Sequence, residues 1–211
     1  DWANLIGTKY SLLLSGGGTA ALICGLVGVG IGPGDEVLIP SYTFMATASA
    51  VLAVGAIPVI VEVDDSCTMD VSDLEKKITP QTKAVIPVHM VGMTANMERI
   101  CDIAKKYNLK VIEDACQAVG GSFKGKRLGA WGDVGTYSFN FFKIIGCGEG
   151  GGLVTNDRII YERASIFHDS GTAFRPYVGE FTIPIFLGLQ FRASEIMGAI
   201  MNVQLKRLEG I

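Results

Sequence analysis

Short runs of apolar, β-branched residues alternate along this chain with stretches of helical periodicity. No other feature of the sequence constrains the fold as tightly. Segments 36–39, 58–61, 83–88, 110–113, 134–139 and 152–155 read as strands. Most are nearly continuous apolar runs, the pattern of a sheet covered on both faces. Segments 19–28, 44–54, 70–77, 96–107, 158–167 and 193–208 read as helices, with Thr43 placed to cap the second. In 96–107, Met97, Ile100, Ile103 and Ala104 share one face, with Glu98, Lys105 and Lys106 elsewhere. In 193–208, Ile196, Ile200, Val203 and Leu208 fall near helical spacing. Strands separated by helices imply an α/β fold with a mostly parallel sheet sandwiched by helices. A chain of 211 residues suits one large domain better than two small ones.

Charge and composition narrow the function. The formal net charge of −3 offers no basic face for nucleic acid, so an anionic partner needs a local site. The longest apolar stretches, 20–31 and 46–60, are broken by glycine and polar residues, and a membrane span needs about 20 predominantly apolar residues. No signal peptide is visible. Five cysteines without a C-x-x-C pair, and only two histidines, argue against a metal site. They fit reduced thiols and a cytoplasmic location. Cys147, near Lys143 in a glycine-rich loop, reads as a small packing residue rather than a reactive thiol. The chain starts at Asp1 and stops just after a helical pattern, so both ends look cut and a longer protein is expected.

In parallel α/β sheets, ligands bind beyond the carboxyl ends of strands. The polar residues there are 15–19, 41–43, His89, 114–117 and 138–143. The segment Ser15-Gly16-Gly17-Gly18-Thr19-Ala20 follows an apolar run and opens a helix. Glycines let backbone approach an anion, and a helix N-terminus presents free N–H groups to it, so the segment can cradle a phosphate. It can equally be an ordinary turn. Asp114 ends an apolar run, where a carboxylate can cap a helix, bind a metal or pair with a cationic ring nitrogen. Lys143 follows Tyr137, Phe139, Phe141 and Phe142. Burial among them would lower its pKa and make its amine a nucleophile fit for Schiff-base chemistry.

Taken together, these segments resemble the DegT/DnrJ/EryC1/StrS family of sugar aminotransferases, of pyridoxal phosphate (PLP) fold type I. The matching motifs are S-G-G-G-T-A-A-L at 15–22, G-P-G-D-E-V at 32–37 and P-S-Y-T-F-M-A-T at 40–47. They continue with E-D-A-C-Q-A-V-G-G at 113–121, the glycine-rich run from Gly125 into G-D-V-G-T-Y-S-F, and K-I-I-G-C-G-E-G-G from Lys143. The resemblance covers about 11–208 and implies the large domain of such an enzyme, with a seven-stranded-type sheet over 1–211. An N-terminal segment and a small C-terminal domain are expected outside it.

The resemblance also implies roles. Lys143 would carry pyridoxal 5'-phosphate as an internal aldimine and serve as general base and acid. Asp114 would pair with the pyridinium nitrogen, keeping the ring an electron sink. Gln117 would approach the 3-hydroxyl side. Gly18, Thr19, Ala20 and Ser138 would hold the phosphate, and Phe44 would stack on the ring. The expected reaction moves an amino group from glutamate or glutamine to a keto- or aldehydo-sugar, nucleotide-linked or a sugar acid. Its place is biosynthesis of an amino sugar for a surface polysaccharide or a secondary metabolite. Two departures stand out. Gly146 replaces a usual threonine, which would loosen the lysine's loop. Gln190 replaces the asparagine that reaches the neighbouring subunit's phosphate; in that role it implies a homodimer with a shared active site. The alternatives are a sugar dehydratase on the same fold, which has histidine in place of the lysine, and a non-catalytic regulator. Outside these motifs, His89 reads as a structural histidine, His168-Asp169 as a pair without a nucleophile, and Arg175 and Arg192 as surface or interface residues.

Overall fold

The computed structural model describes residues 1–171 and 181–211; Arg175 lies outside them. Seven strands form one sheet: β1 (Tyr10–Leu14), β2 (Glu36–Pro40), β3 (Ile57–Val61), β4 (Thr82–Val85), β5 (Lys110–Asp114), β8 (Val134–Ser138) and β9 (Gly151–Thr155). Two short strands, β6 (Ser122–Phe123) and β7 (Lys126–Arg127), pair separately. The sheet order is β1-β9-β8-β5-β4-β2-β3. β9 runs antiparallel to both of its neighbours, and the other pairs are parallel.

All six expected strands are present, and the mostly parallel sheet is as expected. β1 is the addition. Its partner β9 lies far along the chain, so no local pattern beyond the apolar residues 12–14 marks it. The run 83–88 ends as regular strand at Val85, because Pro87 has no N–H for the ladder. β3 lies at the sheet edge, which leaves Ile57 and Ile60 exposed and overturns the expectation of coverage on both faces there.

Seven α-helices flank the sheet among the described residues: α1 (Trp2–Ile6), α2 (Gly17–Gly28), α3 (Ala46–Ala53), α4 (Val71–Lys76), α5 (Met97–Tyr107), α6 (Arg158–His168) and α7 (Glu195–Leu205). Side chains alternate across the sheet with period two, so each strand feeds two cores. Val37, Ile39, Ile112, Val134 and Leu153 pack beneath α2, α3 and α6. Leu38, Val85 and Val111 face α4 and α5, while Tyr137, Phe139 and Val154 face α1 and α7. α2 is buried on nearly every side, as the small apolar composition of 20–28 requires.

Helix starts follow side-chain chemistry where an oxygen is available. Asp70, Asn96, Asp157 and Ser194 each accept a backbone N–H from the first turn of α4, α5, α6 and α7. The four residues expected to share a face of α5 are all buried. Two helix expectations fail. Thr43 does not cap α3, which starts after Met45; its hydroxyl lies 2.7 Å from that of Thr47 instead. In α7 the packed side carries Met197, Met201 and Leu205, whereas Ile196, Ile200 and Val203 face outward. Periodicity finds an apolar stripe but does not say which neighbour covers it. No described helix is long and apolar enough to cross a membrane.

The period of two also separates the adjacent acids of β5. Glu113 points to the α5 face and is fully buried. Its carboxylate accepts N–H bonds from Gly129 (2.7 Å), Trp131 (2.5 Å) and Gly132 (2.7 Å). His89 is 3.3 Å away through Nε2, and its Nδ1 accepts the Ala95 N–H, so the imidazole proton sits on Nε2 and donates to Glu113. His89 is thus structural, as read from the sequence. Glu113→Gln keeps the shape but aims an amide N–H₂ at these donors. It is expected to lower stability by about 2–4 kcal/mol, read from the urea midpoint.

Candidate active site

Four chain segments meet at the carboxyl edge of the sheet, around a cavity of about 200 Å³. β1 leads into 16–19, β5 ends at Asp114, β8 ends at Ser138, and the 140–149 loop returns to β9. The lining includes Gly18, Thr19, Phe44, Asp114, Gln117, Ser138 and Lys143. Seven of the nine residues expected at the cofactor therefore face one space. Ser138 and Asp114 sit on the same face because both are in phase with Ile112 and Val134 beneath α2.

The start of α2 is open to an anion. Its N-cap is Gly16, which has no side-chain oxygen to offer. The first helical N–H groups thus have no capping partner, and the helix dipole adds positive potential there. Gly18 is needed for close approach: a Cβ would lie 2.5 Å from Cys116 Sγ and 3.2 Å from Ser138 Cβ. Ala20 is placed differently from the expectation. It is buried outside the cavity lining, and its N–H bonds Gly16 O at 3.4 Å, so it belongs to the helix ladder.

Asp114 is only 5% exposed, yet no basic side chain pairs with it among the described residues. Cys116 N–H donates to Oδ1 and Thr47 Oγ1 to Oδ2, each at 3.1 Å. Thr47 is a neighbour of Asp114 that sequence reasoning missed. It lies within the 40–47 motif, but nothing local announces a contact 67 positions away. Gln117 is oriented by Val91 N–H, which donates to its Oε1 at 3.1 Å. Cys116, Asn140, Phe142 and Glu149 also line the cavity without having been singled out.

Lys143 lies in the cavity wall, but its expected apolar burial is overturned. It is half-buried, with its ammonium 6.0 Å from the Phe142 ring centre, while Phe141, Phe142 and Ile144 point outward. The lysine follows a turn closed by Lys143 N–H to Asn140 O at 3.1 Å, which throws consecutive side chains to different sides. Its amine has no hydrogen bond or ion pair among the described residues. Gly146 does not loosen the loop. A Cβ there would lie 2.5 Å from Asn140 O, so glycine is what allows the tight fold-back. Phe44 is 67% exposed over the cavity mouth, which favours a ligand-facing role over an ordinary core role.

Gln190 is exposed and does not line this chain's cavity. Its strand-like segment is tied to the glycine turn by Ser15 N–H to Phe191 O at 2.7 Å. His168 and Asp169 line a separate hollow, where Arg192 Nη1 reaches Asp169 at 2.5 Å and His168 Nδ1 donates to Ser165 O. No cluster of metal-ligating side chains occurs among the described residues. Burial raises the thiol pKa of Cys24 to about 12 and, together with the Asp114 charge, lifts that of Cys116 well above the ordinary value. Cys147 is buried and likewise raised by desolvation, which fits a packing role.

Residues 1–211 match the DegT/DnrJ/EryC1/StrS aminotransferase family. The chain is 40% identical over 209 residues to GDP-perosamine synthase of Caulobacter vibrioides, covering 99% of this chain and 55% of that protein. It is 35% identical over 199 residues to L-glutamine:2-deoxy-scyllo-inosose aminotransferase of Streptomyces kanamyceticus, covering 91% and 47%. The solved structure of NtdA from Bacillus subtilis with bound cofactor PMP matches with a TM-score of 0.88 at 34% identity, covering 98% of this chain and 46% of that one. The chain thus spans about half the length of these relatives.

Gly18→Ala is expected to weaken pyridoxal phosphate binding at least about tenfold in an absorbance titration, because its methyl group displaces Cys116 or the turn itself. A thiol of pKa about 12 is ionised only to roughly one part in ten thousand at pH 8. A disulfide reagent at that pH should therefore modify the exposed Cys67 in the folded protein and reach the buried Cys24 only after denaturation.

Proposed function

Because the chain belongs to the DegT/DnrJ/EryC1/StrS aminotransferase family, we propose that it forms the cofactor-binding part of a PLP-dependent sugar aminotransferase. The proposed reaction takes an amino group from glutamate or glutamine and delivers it to a keto- or aldehydo-sugar, in amino-sugar biosynthesis. The observation that carries this reading is a pair of complementary unpaired groups on one cavity. Among the described residues, Asp114 is a buried carboxylate without a cation, and Lys143 is an amine without a hydrogen-bond or ion-pair partner. A buried charge needs a partner. A protonated pyridine nitrogen supplies one to Asp114, and the uncapped start of α2 suits the phosphate at the other end of the same molecule. The residues therefore fit the cofactor.

When bound, pyridoxal phosphate supplies an electron sink for the carbon that gives up its proton. The protein's share is binding, orientation and proton movement. Gly18 and Thr19 N–H groups and the Ser138 hydroxyl hold the phosphate. Asp114 keeps a proton on the ring nitrogen, Phe44 covers one ring face, and Gln117 meets the 3-hydroxyl side. Lys143 Nζ accepts the proton from the donor's α-carbon and returns it. We assign Gln190 to the phosphate of a second subunit in a homodimer, a reading supported by its exposure beside the glycine turn. The exposed Phe141, Phe142 and Ile144 beside Lys143 favour the same arrangement, since an apposed subunit would remove them from water.

Lys143→Ala is expected to reduce transamination with glutamate by at least about 10²–10⁴-fold, the range for loss of a positioned acid–base group, and to abolish the absorbance band of the lysine-bound cofactor. Transamination that survives the substitution would remove Lys143 from its role. A panel of keto-sugars with isotopically labelled glutamate and glutamine identifies acceptor and donor.

A further inference from the structure

Behind Asp114 the polar contacts continue into α3 and the loop that carries Phe44. We propose that Thr47 is a positioning residue for Asp114, an inference that rests on Asp114 as the partner of the ring nitrogen. Thr47 is fully buried. Its Oγ1 lies 3.1 Å from Asp114 Oδ2 and 2.7 Å from Thr43 Oγ1. An ionised carboxylate only accepts, so the single Thr47 proton goes to Asp114 and the Thr43 hydroxyl donates to Thr47. Oδ1 is held separately by Cys116 N–H. The Cys116 thiol also bonds the carboxylate, so Cys116 on one side and Thr47 on the other set its plane. Without Thr47 the carboxylate's remaining bonds among the described residues come from Cys116 alone, which holds it from one side only.

The arrangement does two things. Both donors orient the carboxylate that would face a protonated ring nitrogen. The Thr43–Thr47 link also ties the position of the carboxylate to the 41–44 loop, so the ring's acid partner and its stacking residue share one support. The donors come from three places in the chain: α3, the loop before it, and the turn after β5.

The test measures pyridoxal phosphate affinity by absorbance titration of cofactor-stripped protein, with folding checked by circular dichroism. Thr47→Val keeps the shape and removes the hydroxyl; it is expected to weaken binding about tenfold. Thr47→Ser keeps the hydroxyl and is expected to stay within about threefold of the parent. With a cofactor analogue bearing carbon in place of the ring nitrogen, Thr47→Val and the parent should bind alike, a result that a merely structural role would not produce. Parent-like binding of pyridoxal phosphate by Thr47→Val, or an equal loss for the analogue, overturns the proposal. Should Thr47→Val fail to fold, Thr47→Cys, a much weaker donor, takes its place in the same comparison with Thr47→Ser. Asp114→Asn separates the two levels. If it binds pyridoxal phosphate like the parent, the assignment of Asp114 falls; if it weakens binding while Thr47→Val does not, only the Thr47 inference falls.

Discussion

Glu113 brings a full charge into the sheet, and four donors converge on it: three backbone N–H groups from 129–132 and the Nε2 proton of His89. A buried carboxylate is tolerated only when its oxygens are satisfied in this way. The clamp holds the 129–132 loop that feeds β8 and, through His89 and Ala95, the entry to α5. It also fixes the register of β5. Because successive strand residues face opposite ways, locking Glu113 on one face delivers Asp114 to the other. The clamped acid and the cavity acid are neighbours in the chain and separated by the thickness of the sheet.

That delivery makes the cavity. Asp114 and Ser138 end parallel neighbours β5 and β8 on the same face, and the uncapped start of α2 lies against them. Among the described residues, the site combines a carboxylate lacking a cation with N–H groups lacking a side-chain cap. Each is unfavourable alone, and one zwitterionic ligand with a cationic ring and an anionic phosphate resolves both. The glycines serve this geometry in two different ways. Gly18 admits the turn beside Cys116, and Gly146 admits the fold-back behind Lys143.

Much of this was legible. Six strands, six helices and the buried face of α5 follow from periodicity, and most of the cavity lining from the resemblance to the family. The failures have physical causes. β1 escaped because its ladder joins residues far apart in sequence. Thr47 escaped, and Thr43 was given the wrong partner, because a hydroxyl's partner is chosen by packing, not by spacing. Lys143 among aromatics looked buried, but a turn distributes consecutive side chains, and Phe141 and Phe142 went outward. The α7 stripe was real, yet Met201 rather than Ile200 faces the sheet.

The sequence by itself determined the alternation of strands and helices, and with it the sheet and the edge at which polar residues collect. It did so because side-chain period and glycine placement are local properties. Tertiary structure alone decided which polar residues meet. Whether Asp114 faces Glu113's partners or Thr47, whether Ala20's N–H is free, and whether Lys143 is enclosed all depend on contacts between distant segments. Such contacts are set by how whole elements pack, and no window of sequence contains them.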